Sequence, residues 1–226
     1  QPVHDKRRRQ QHGGAKRIRL MHHGLPLERF PFLERSRERR GGPPRILAAG
    51  RFTPKKGFED LLEALAHPAL ARRECVVQFV GGGTDGGALR ARAASLGVEN
   101  RARFEGPRLG SELRQFFDTA DVLAAPCKQA PDGDVDGVPN VVLEAFAAGL
   151  PVIGTDAGSL SEVLTSETGA VAPQNNPAAL AETLAAFLDD PRAAYARTHA
   201  ARALVEREYD IRANIAPLAA LLDEAK

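Results

Sequence analysis

Apolar runs and amphipathic stretches alternate along this chain from about residue 45 onward. Short apolar runs are typical of buried parallel strands, whereas apolar positions three and four residues apart indicate helices. The apolar runs predict strands at 46–49, 75–80, 102–104, 122–125, 151–153 and 170–171. The amphipathic stretches predict helices at 57–66, 88–96, 111–119, 139–148, 160–164, 177–188, 193–208 and 211–224.

The order of these elements predicts the fold class. Strands that alternate with helices of this length are typical of an α/β fold with a doubly wound, Rossmann-like parallel sheet. Ser111 is the expected N-cap of one helix, and Asn176 followed by Pro177 is the expected cap of another. Ligands of such sheets bind where the strands end. We therefore expect a site among the loops that follow the strands.

The segment before the first predicted strand has a different character. Residues 1–16 include the basic run Lys6–Arg9 and no apolar stripe that could build a core. Alternation at 17–21 predicts a short strand, whereas Gly24 and Pro26 interrupt regular structure after it. Residues 35–44 form a charged connector that ends in glycine and proline. We expect residues 1–40 to lie outside the main domain.

Composition excludes several classes of protein. The 226 residues suffice for one α/β core, and 43% hydrophobic residues is ordinary for a globular chain. No apolar run approaches the roughly 20 residues that span a bilayer, and no signal-peptide pattern is present. Cys75 and Cys127 do not make a disulfide framework, which favours a reducing, cytoplasmic compartment. We expect both cysteines to be packing residues.

Charge is unevenly distributed along the chain. Residues 1–45 carry thirteen Lys or Arg and four Asp or Glu, although the whole chain has a net charge of only +2. Such a basic arm is typical of a solvated face or linker, or of contact with nucleic acid or anionic lipid. The arm lacks interleaved aromatics and any known nucleic-acid module, so we expect no nucleic-acid partner. Peripheral contact with the inner face of a membrane stays open.

An acidic loop followed by a helix carries the richest chemistry. Asp136 lies in the loop and Glu144 lies about one turn inside the helix, with seven residues between them. The free N–H groups at a helix start favour a phosphate. Carboxylates on either side can accept hydrogen bonds from hydroxyl groups. The arrangement predicts a site for a phosphorylated, hydroxyl-rich ligand.

A basic turn follows the first predicted strand, in the sequence Gly50-Arg51-Phe-Thr-Pro-Lys-Lys56-Gly57. Arginine offers a bidentate fork to phosphate, and lysine offers a point charge. A basic turn of this kind is often only solvated. Because it shares the expected ligand edge with the acidic loop, we interpret Arg51 and Lys56 as phosphate-binding residues.

Both motifs resemble those of the retaining GT-B glycosyltransferases, a large bacterial family that uses sugar nucleotides. The Pro-Asn-led helix with Glu-Ala-x-Ala-x-Gly-x-Pro-Val is similar to the family's acidic-x7-Glu region, and the basic turn is similar to its Gly-Arg-x4-Lys-Gly. The first acid of the family motif is usually Glu, and Asp136 stands there in this chain. The sequence from His22 to Phe30 resembles the segment that leads into the family's second domain.

The resemblance implies a hexosyltransferase with a carboxyl-terminal donor-binding domain at 41–190 and additional helices at 191–226. Glu144 would bind the donor ribose and Asp136 the sugar hydroxyls, while Arg51 and Lys56 would stabilise the departing diphosphate. The remaining implied binding residues are Gly50, Gly81, Gly82, Gly83, Gly137, Val138, Pro139 and Asn140. The family implies retention at the anomeric carbon and no cofactor or metal, with a nucleotide sugar as donor.

The resemblance also implies partners. The acceptor would be a sugar or a lipid-linked sugar, in polysaccharide or glycolipid synthesis, and it would bind to an amino-terminal domain. That domain has no counterpart in residues 1–44, so we expect a fragment, a truncated product or half of a split enzyme. Such a chain is expected to bind donor and to transfer nothing without a partner. The alternative is a module that binds sugar nucleotides without catalysis.

Three weaker motifs point to other ligands. Gly81-x-Gly83-x-x-Gly86 with Glu105 nineteen residues later matches the dinucleotide fingerprint of oxidoreductases, but it follows the second strand rather than the first. Asp132, Asp134 and Asp136 resemble half of a calcium loop, whose twelfth position here is Leu143 instead of Glu. Asp134-Val-Asp136 also resembles the Asp-x-Asp motif of the other glycosyltransferase fold, which lacks the basic turn.

The histidine pair is the last candidate metal site. His22 and His23 have no Cys or acidic partner at metal-ligand spacing. We expect both residues to lie in a strand at the hinge before the main domain.

Overall fold

The computed structural model describes residues 21–35 and 42–223. The basic run Lys6–Arg9 lies outside these residues, as does all of the strand predicted at 17–21 except Met21. Met21 itself is not part of a strand.

The described residues form one parallel sheet of six strands. The strands are β1 (Arg45–Ala49), β2 (Val76–Val80), β3 (Ala102–Gly106), β4 (Val122–Ala125), β5 (Val152–Thr155) and β6 (Ala170–Ala172). Their order is β3-β2-β1-β4-β5-β6, and every neighbouring pair is parallel. This is the doubly wound order, in which successive strands are added on one side of β1 up to β3 and on its other side from β4 onward. The predicted fold class is confirmed.

Eight helices accompany the sheet in the described part of the chain. They are α1 (Phe58–Ala66), α2 (Pro68–Ala71), α3 (Gly86–Ser95), α4 (Gly110–Thr119), α5 (Asn140–Ala147), α6 (Pro177–Asp189), α7 (Arg192–Glu208) and α8 (Ile211–Asp223). Three 3-10 turns lie at Leu27–Arg29, Pro54–Lys56 and Gly158–Glu162. The last of these replaces the helix predicted at 160–164. Helix α2 was not predicted, because four residues are too few to show a helical period.

Two predictions about local structure are wrong, and one cap is confirmed. Helix α4 begins at Gly110, so Ser111 lies inside it and makes no capping bond. His22 and His23 are not in a strand; their rings lie 4.6 and 5.9 Å from the ring of Tyr209. The N-cap at Asn176 is confirmed, because its side-chain oxygen accepts from the amide of Ala179 at 3.0 Å.

Both faces of the sheet are buried, which explains the nearly continuous apolar strands. Along β1, Ile46 and Ala48 pack on the face covered by α1, α3 and α6, while Leu47 and Ala49 pack on the opposite face. The opposite face is covered by α4, α5 and α7. Each fully buried large apolar side chain contributes about 1.5–3 kcal/mol to folding.

The segment 21–35 packs on the face covered by α4, α5 and α7. Leu25 and Leu27 are buried in that core, and the amide of Leu25 donates to the carbonyl of Tyr209 at 2.6 Å. The Arg35 guanidinium donates to the carbonyls of Phe117, Ala120 and Gly149 at 2.6–2.9 Å. Those carbonyls end α4 and α5, so one arginine satisfies groups that a helix end leaves free.

A second arginine holds the same end of α5 from the carboxyl-terminal side. Arg202 in α7 donates to the carbonyls of Ala147 and Phe30 at 2.6 and 2.9 Å. The amino- and carboxyl-terminal flanks of the sheet therefore meet at one helix end. The domain boundaries predicted at residues 40 and 190 stay predictions.

None of the helices in the described ranges combines the length and the apolar character that a membrane span requires.

Candidate functional site

The predicted site residues lie on loops at the carboxyl edge of the sheet. The loop after β1 carries Arg51 and Lys56, and the loop after β4 carries Asp136 and leads into α5. Strands β1 and β4 are adjacent in the sheet, so the two loops start side by side. This is the point of reversal at which open parallel sheets bind ligands.

The basic turn is a 3-10 turn at Pro54–Lys56 that ends at Gly57. Gly57 has a φ of +63°, and a Cβ atom there would lie 1.8 Å from the carbonyl oxygen of Pro126. Only glycine fits such a left-handed position against another backbone. The carbonyl of Lys55 also accepts a bond from the amide of Lys128 at 2.9 Å. The turn is therefore fixed against the loop after β4.

The acidic loop has internal bonds of its own. The amide of Ala130 donates to the carbonyl of Asp134 at 2.8 Å, and the amide of Asp134 donates to the carboxylate of Asp132 at 3.0 Å. Beneath the loop, a Cβ atom on Gly158 would lie 2.6 Å from the carbonyl oxygen of Asp136. These contacts fix the conformation of the loop and hold the backbone of Asp136 in place.

Two lysines and two aspartates join the loops. Lys55 Nζ lies 2.8 Å from Asp134 Oδ2 and 3.3 Å from Asp136 Oδ1. Lys56 Nζ lies 2.6 Å from Asp136 Oδ2. That last pair has the distance of an ion pair without the angles of a hydrogen bond, so this buried oxygen has no hydrogen bond in the described structure. The two groups still attract each other as an ion pair, because Coulomb attraction depends little on angle.

These contacts shift the pKa values of Lys55 and Asp134. The hydrogen bond from Lys55 is the main cause that lowers the pKa of Asp134. The same bond raises the pKa of Lys55, against a smaller opposing effect of desolvation. Both groups are therefore charged over a wide pH range. Arg51 adds a minor lowering of the Asp134 pKa, which puts its charge within electrostatic reach of the acidic loop.

Helix α5 begins at Asn140 with no side-chain cap, and Pro139 occupies its N-cap position. Within residues 21–35 and 42–223, the amides of Val138, Asn140 and Val141 donate no hydrogen bond. Free amides and the helix dipole make such a helix start a good place for an anion.

Glu144 lies one turn further along α5 and is half-buried. Its carboxylate has no hydrogen-bond or ion-pair partner in the part of the chain that the structure describes. Burial raises its pKa above the ordinary value of 4.5. An unpaired carboxylate in such a place is disfavoured unless a ligand hydroxyl bonds to it.

The glycine turn after β2 supports the basic turn. Cβ atoms at Gly81 and Gly83 would lie 1.9 Å from the carbonyl oxygen of Gly50 and 2.5 Å from that of Phe52. The amide of Phe52 donates to the carbonyl of Gly82 at 2.8 Å. The glycines at 81 and 83 allow the two loops to touch. This contact accounts for glycine at both positions of the dinucleotide fingerprint without a bound dinucleotide.

Two other candidate chemistries of this region are a cysteine nucleophile at Cys127 and a metal site at the aspartates. Burial raises the pKa of the Cys127 thiol to about 11, so the thiol stays neutral and is a poor nucleophile. The carboxylates of Asp134 and Asp136 face lysines. Among the described residues, no group of three or more His, Cys, Asp or Glu side chains has a metal-binding arrangement.

The sequence did not identify two charged residues of this region. Lys55 contacts both aspartates, and Lys128 Nζ lies 2.5 Å from the carboxylate of Asp60 in α1. Adjacency to Lys56 was the one available signal for Lys55.

A cavity of about 200 Å³ opens between α1 and α3, lined by Thr53, Pro54, Arg92 and Lys128 among others, and no predicted site residue lines it.

Comparison with known proteins relates this geometry to a family. The model of the family described as "Glycosyl transferases group 1" matches residues 43–190. Those residues contain all six strands and every predicted site residue.

Two curated relatives are similar over most of this chain. A glycogen synthase of Mycobacterium tuberculosis is 31% identical over 198 residues, which are 87% of this chain and 46% of that protein. A GDP-mannose-dependent alpha-(1-6)-phosphatidylinositol monomannoside mannosyltransferase of Mycolicibacterium smegmatis is 36% identical over 194 residues, which are 83% of this chain and 50% of that protein. The chain thus spans about half the length of the curated relatives it matches.

Two solved structures share the fold. Sucrose-phosphate synthase of Thermosynechococcus elongatus has a TM-score of 0.80 at 24% identity, covering 98% of this chain and 56% of that one. Anabaena Alr3699/HepE in complex with UDP-glucose has a TM-score of 0.74 at 20% identity, covering 89% of this chain and 56% of that one. At these identities the likeness is one of fold alone.

Proposed function

The chain belongs to the glycosyl transferases group 1 family, and from this premise we propose that it binds the nucleotide-diphosphate sugar donor of a retaining glycosyl transfer. One observation carries the proposal. A basic turn, the uncapped start of α5 and an unpaired, half-buried carboxylate lie on neighbouring loops and one helix at the carboxyl edge of the sheet. Each group matches one part of a nucleotide sugar.

The diphosphate is proposed to lie between the basic turn and α5. Arg51 is exposed and has no ion pair within the described residues, so its fork is available to phosphate oxygens. Lys56 would give up its contact with Asp136 and bind a phosphate oxygen instead. The amides of Val138, Asn140 and Val141 would donate to the same group.

The carboxylates are proposed to bind the two sugars of the donor. Glu144 would accept from the ribose hydroxyls, which would compensate the cost of its burial. Asp136 would accept from hydroxyls of the transferred sugar. Because aspartate is one methylene shorter than the usual glutamate, the sugar must approach the acidic loop more closely here.

Transfer breaks the bond between the anomeric carbon and the diphosphate oxygen, and an acceptor hydroxyl forms the new bond. Negative charge then develops on the departing diphosphate. Arg51 and Lys56 would stabilise that charge, and preorganised groups of this kind contribute about 3–4 kcal/mol each in comparable sites. The acceptor hydroxyl passes its proton to the departing diphosphate oxygen in the same process, so bonds and charge balance.

The names of relatives support the donor class. The mycolicibacterial relative is named as GDP-mannose-dependent, and the Anabaena structure contains UDP-glucose. A sugar or lipid-linked sugar as acceptor, a cytoplasmic location and contact with the inner membrane face stay predictions from the sequence.

Titration calorimetry with UDP-glucose, GDP-mannose, ADP-glucose and NAD tests the proposal. We expect one nucleotide sugar to bind at least about tenfold more tightly than the others and more tightly than NAD. The matched variant Arg51→Ala should weaken that binding. Binding of NAD alone, or of no nucleotide sugar, would contradict the proposal.

A further inference from the structure

We propose that Lys55 is a positioning residue for the donor sugar, acting through Asp136. The inference rests on the proposed function, because it gives Lys55 a role in the same site. Lys56 is expected to meet the phosphates, whereas Lys55 is expected to hold the carboxylate that meets the sugar. The two adjacent lysines would therefore serve different parts of one ligand.

Lys55 forms a bridge between two aspartates of the acidic loop, one exposed and one largely buried. Its Nζ atom lies 2.8 Å from Asp134 Oδ2 and 3.3 Å from Asp136 Oδ1. The side chains of Lys55 and Asp136 are only 14% and 16% exposed, whereas that of Asp134 is 54% exposed. One ammonium group thus ties the outer and the inner aspartate of the loop together.

The backbone from which the Lys55 side chain extends is fixed. Lys55 lies in the 3-10 turn, and its carbonyl accepts from the amide of Lys128 at 2.9 Å. Gly57, two residues later, is in close contact with Pro126. The position from which Lys55 reaches the acidic loop therefore does not depend on a ligand.

Asp136 has to change one of its partners when a donor binds. A diphosphate that takes Lys56 leaves Asp136 Oδ2 free to accept from a sugar hydroxyl. At that moment the phosphates also repel the carboxylate. Lys55 still holds Asp136 Oδ1, so the side chain stays at the site while its second oxygen changes partner.

This role differs from general support of the fold. The bond between Ala130 and Asp134, the turn at Asp132 and the contact with Gly158 do not involve Lys55, so we expect the acidic loop to keep them in a Lys55 variant. Loss of the Lys55 charge should weaken UDP at least as much as UDP-glucose, because the free terminal phosphate of UDP carries the larger charge. A rise in the ratio of the nucleotide-sugar Kd to the nucleoside-diphosphate Kd would therefore report a contact with the sugar.

The experiment compares a nucleoside diphosphate with its sugar ester, which carries one phosphate charge fewer, in the parent and in Lys55→Met. Calorimetry measures the Kd of UDP with UDP-glucose, or of GDP with GDP-mannose, using the pair that the parent binds. We expect the ratio of the nucleotide-sugar Kd to the nucleoside-diphosphate Kd to rise at least about fivefold in Lys55→Met. Lys55→Arg should restore much of the parent ratio.

Two further variants test whether Lys55 acts on the sugar through Asp136. Asp136→Asn should raise the ratio by itself, and Lys55→Met should add nothing in that background, because residues that act as one unit are not additive. Lys128→Met removes the neighbouring lysine–aspartate pair with Asp60 and should leave the ratio unchanged.

An unchanged ratio in Lys55→Met overturns the inference, whether both ligands weaken together or neither does. An equal effect of Lys128→Met, or full additivity with Asp136→Asn, overturns it too. If the parent binds ADP and ADP-glucose instead, that pair replaces the other two. If the parent binds no nucleotide sugar, the proposed function fails and the inference fails with it.

Discussion

The Nζ atom of Lys56 lies 2.6 Å from Oδ2 of Asp136, so two residues proposed for different parts of the donor contact each other when the site is empty. Both side chains are largely buried, with 13% and 16% exposed. A phosphate that binds Lys56 must therefore displace a carboxylate. The first prediction concerns this competition.

Asp136→Asn should strengthen the binding of a nucleoside diphosphate without sugar. The variant frees Lys56 from its ion pair and removes a negative charge next to the phosphates. Because even a solvent-exposed ion pair is worth up to about 1 kcal/mol, we expect the loss of this largely buried pair to raise the affinity at least about two- to fivefold. Calorimetry with UDP or GDP measures it, and Asp118→Asn on α4 is the control. Weaker binding would contradict the competition.

Lys56→Ala and Arg51→Ala should each weaken nucleoside-diphosphate binding by about 1.5–3 kcal/mol, the range for hydrogen bonds to charged groups. Calorimetry again provides the measurement. Arg72→Ala is the matched control, because Arg72 is exposed and lies just before β2, at the opposite edge of the sheet. Parent-like binding by both site variants would show that the basic turn is only solvated.

Chelation should leave nucleotide binding unchanged. Lys55 and Lys56 already neutralise Asp134 and Asp136, and the calcium pattern lacks its glutamate at Leu143. Titrations with and without EDTA compare the affinities. A large loss on chelation that calcium or manganese restores would mean that the acidic loop binds a cation.

Glu144→Gln should stabilise the protein at neutral pH while it weakens nucleotide binding. Burial raises the folded-state pKa of Glu144 above 4.5, so the fold disfavours the ionised form. The parent is therefore less stable than the variant above the folded-state pKa, and the difference disappears as the pH falls below the unfolded-state value. Melting curves at about pH 7.5 and about pH 4 measure this.

The control for that experiment is the exposed Glu99→Gln, which should show no gain at either pH. A Glu144→Gln variant that melts at lower temperature than the parent at neutral pH would indicate that the carboxylate has a partner which stabilises its charge.

Gly57→Ala should destabilise the protein more than Gly97→Ala does. The two glycines have nearly the same φ, +63° and +66°, but a Cβ atom clashes with Pro126 only at Gly57. The left-handed backbone alone should cost about 1–2 kcal/mol at Gly97. Denaturant unfolding compares the two free energies of unfolding. Equal losses would mean that the two loops move apart without cost.

The sequence predicted the sheet well because its signals are local. All six strands and the helices longer than five residues follow from apolar periodicity, and Gly149 and Pro139 mark the ends of α5. The Ser111 cap failed because capping depends on where the backbone turns, which is two residues earlier, at Leu109. The preference of serine for N-cap positions predicted a helix start near residue 111, but not the residue at which the helix begins.

The site was predictable only in part, for a related reason. The motifs place Arg51, Lys56, Asp136 and Glu144 on one edge, because parallel strands end at the same side of a sheet. The pairing of Lys55 with Asp134 joins residues that are far apart in sequence. Nothing in the local pattern distinguishes that lysine from a solvated one.

The two arginines at the end of α5 have a consequence for how the protein unfolds. Arg35 and Arg202 lie on either side of the family match at 43–190, yet both bond carbonyls that end helices within it. Leu25, Leu27 and Val205 add core contacts from the same flanks. A chain cut to 43–190 would lose all of these, so the cooperative unit in hydrogen exchange should extend from the segment 21–35 through α7. The unit that folds is larger than the unit that sequence resemblance detects.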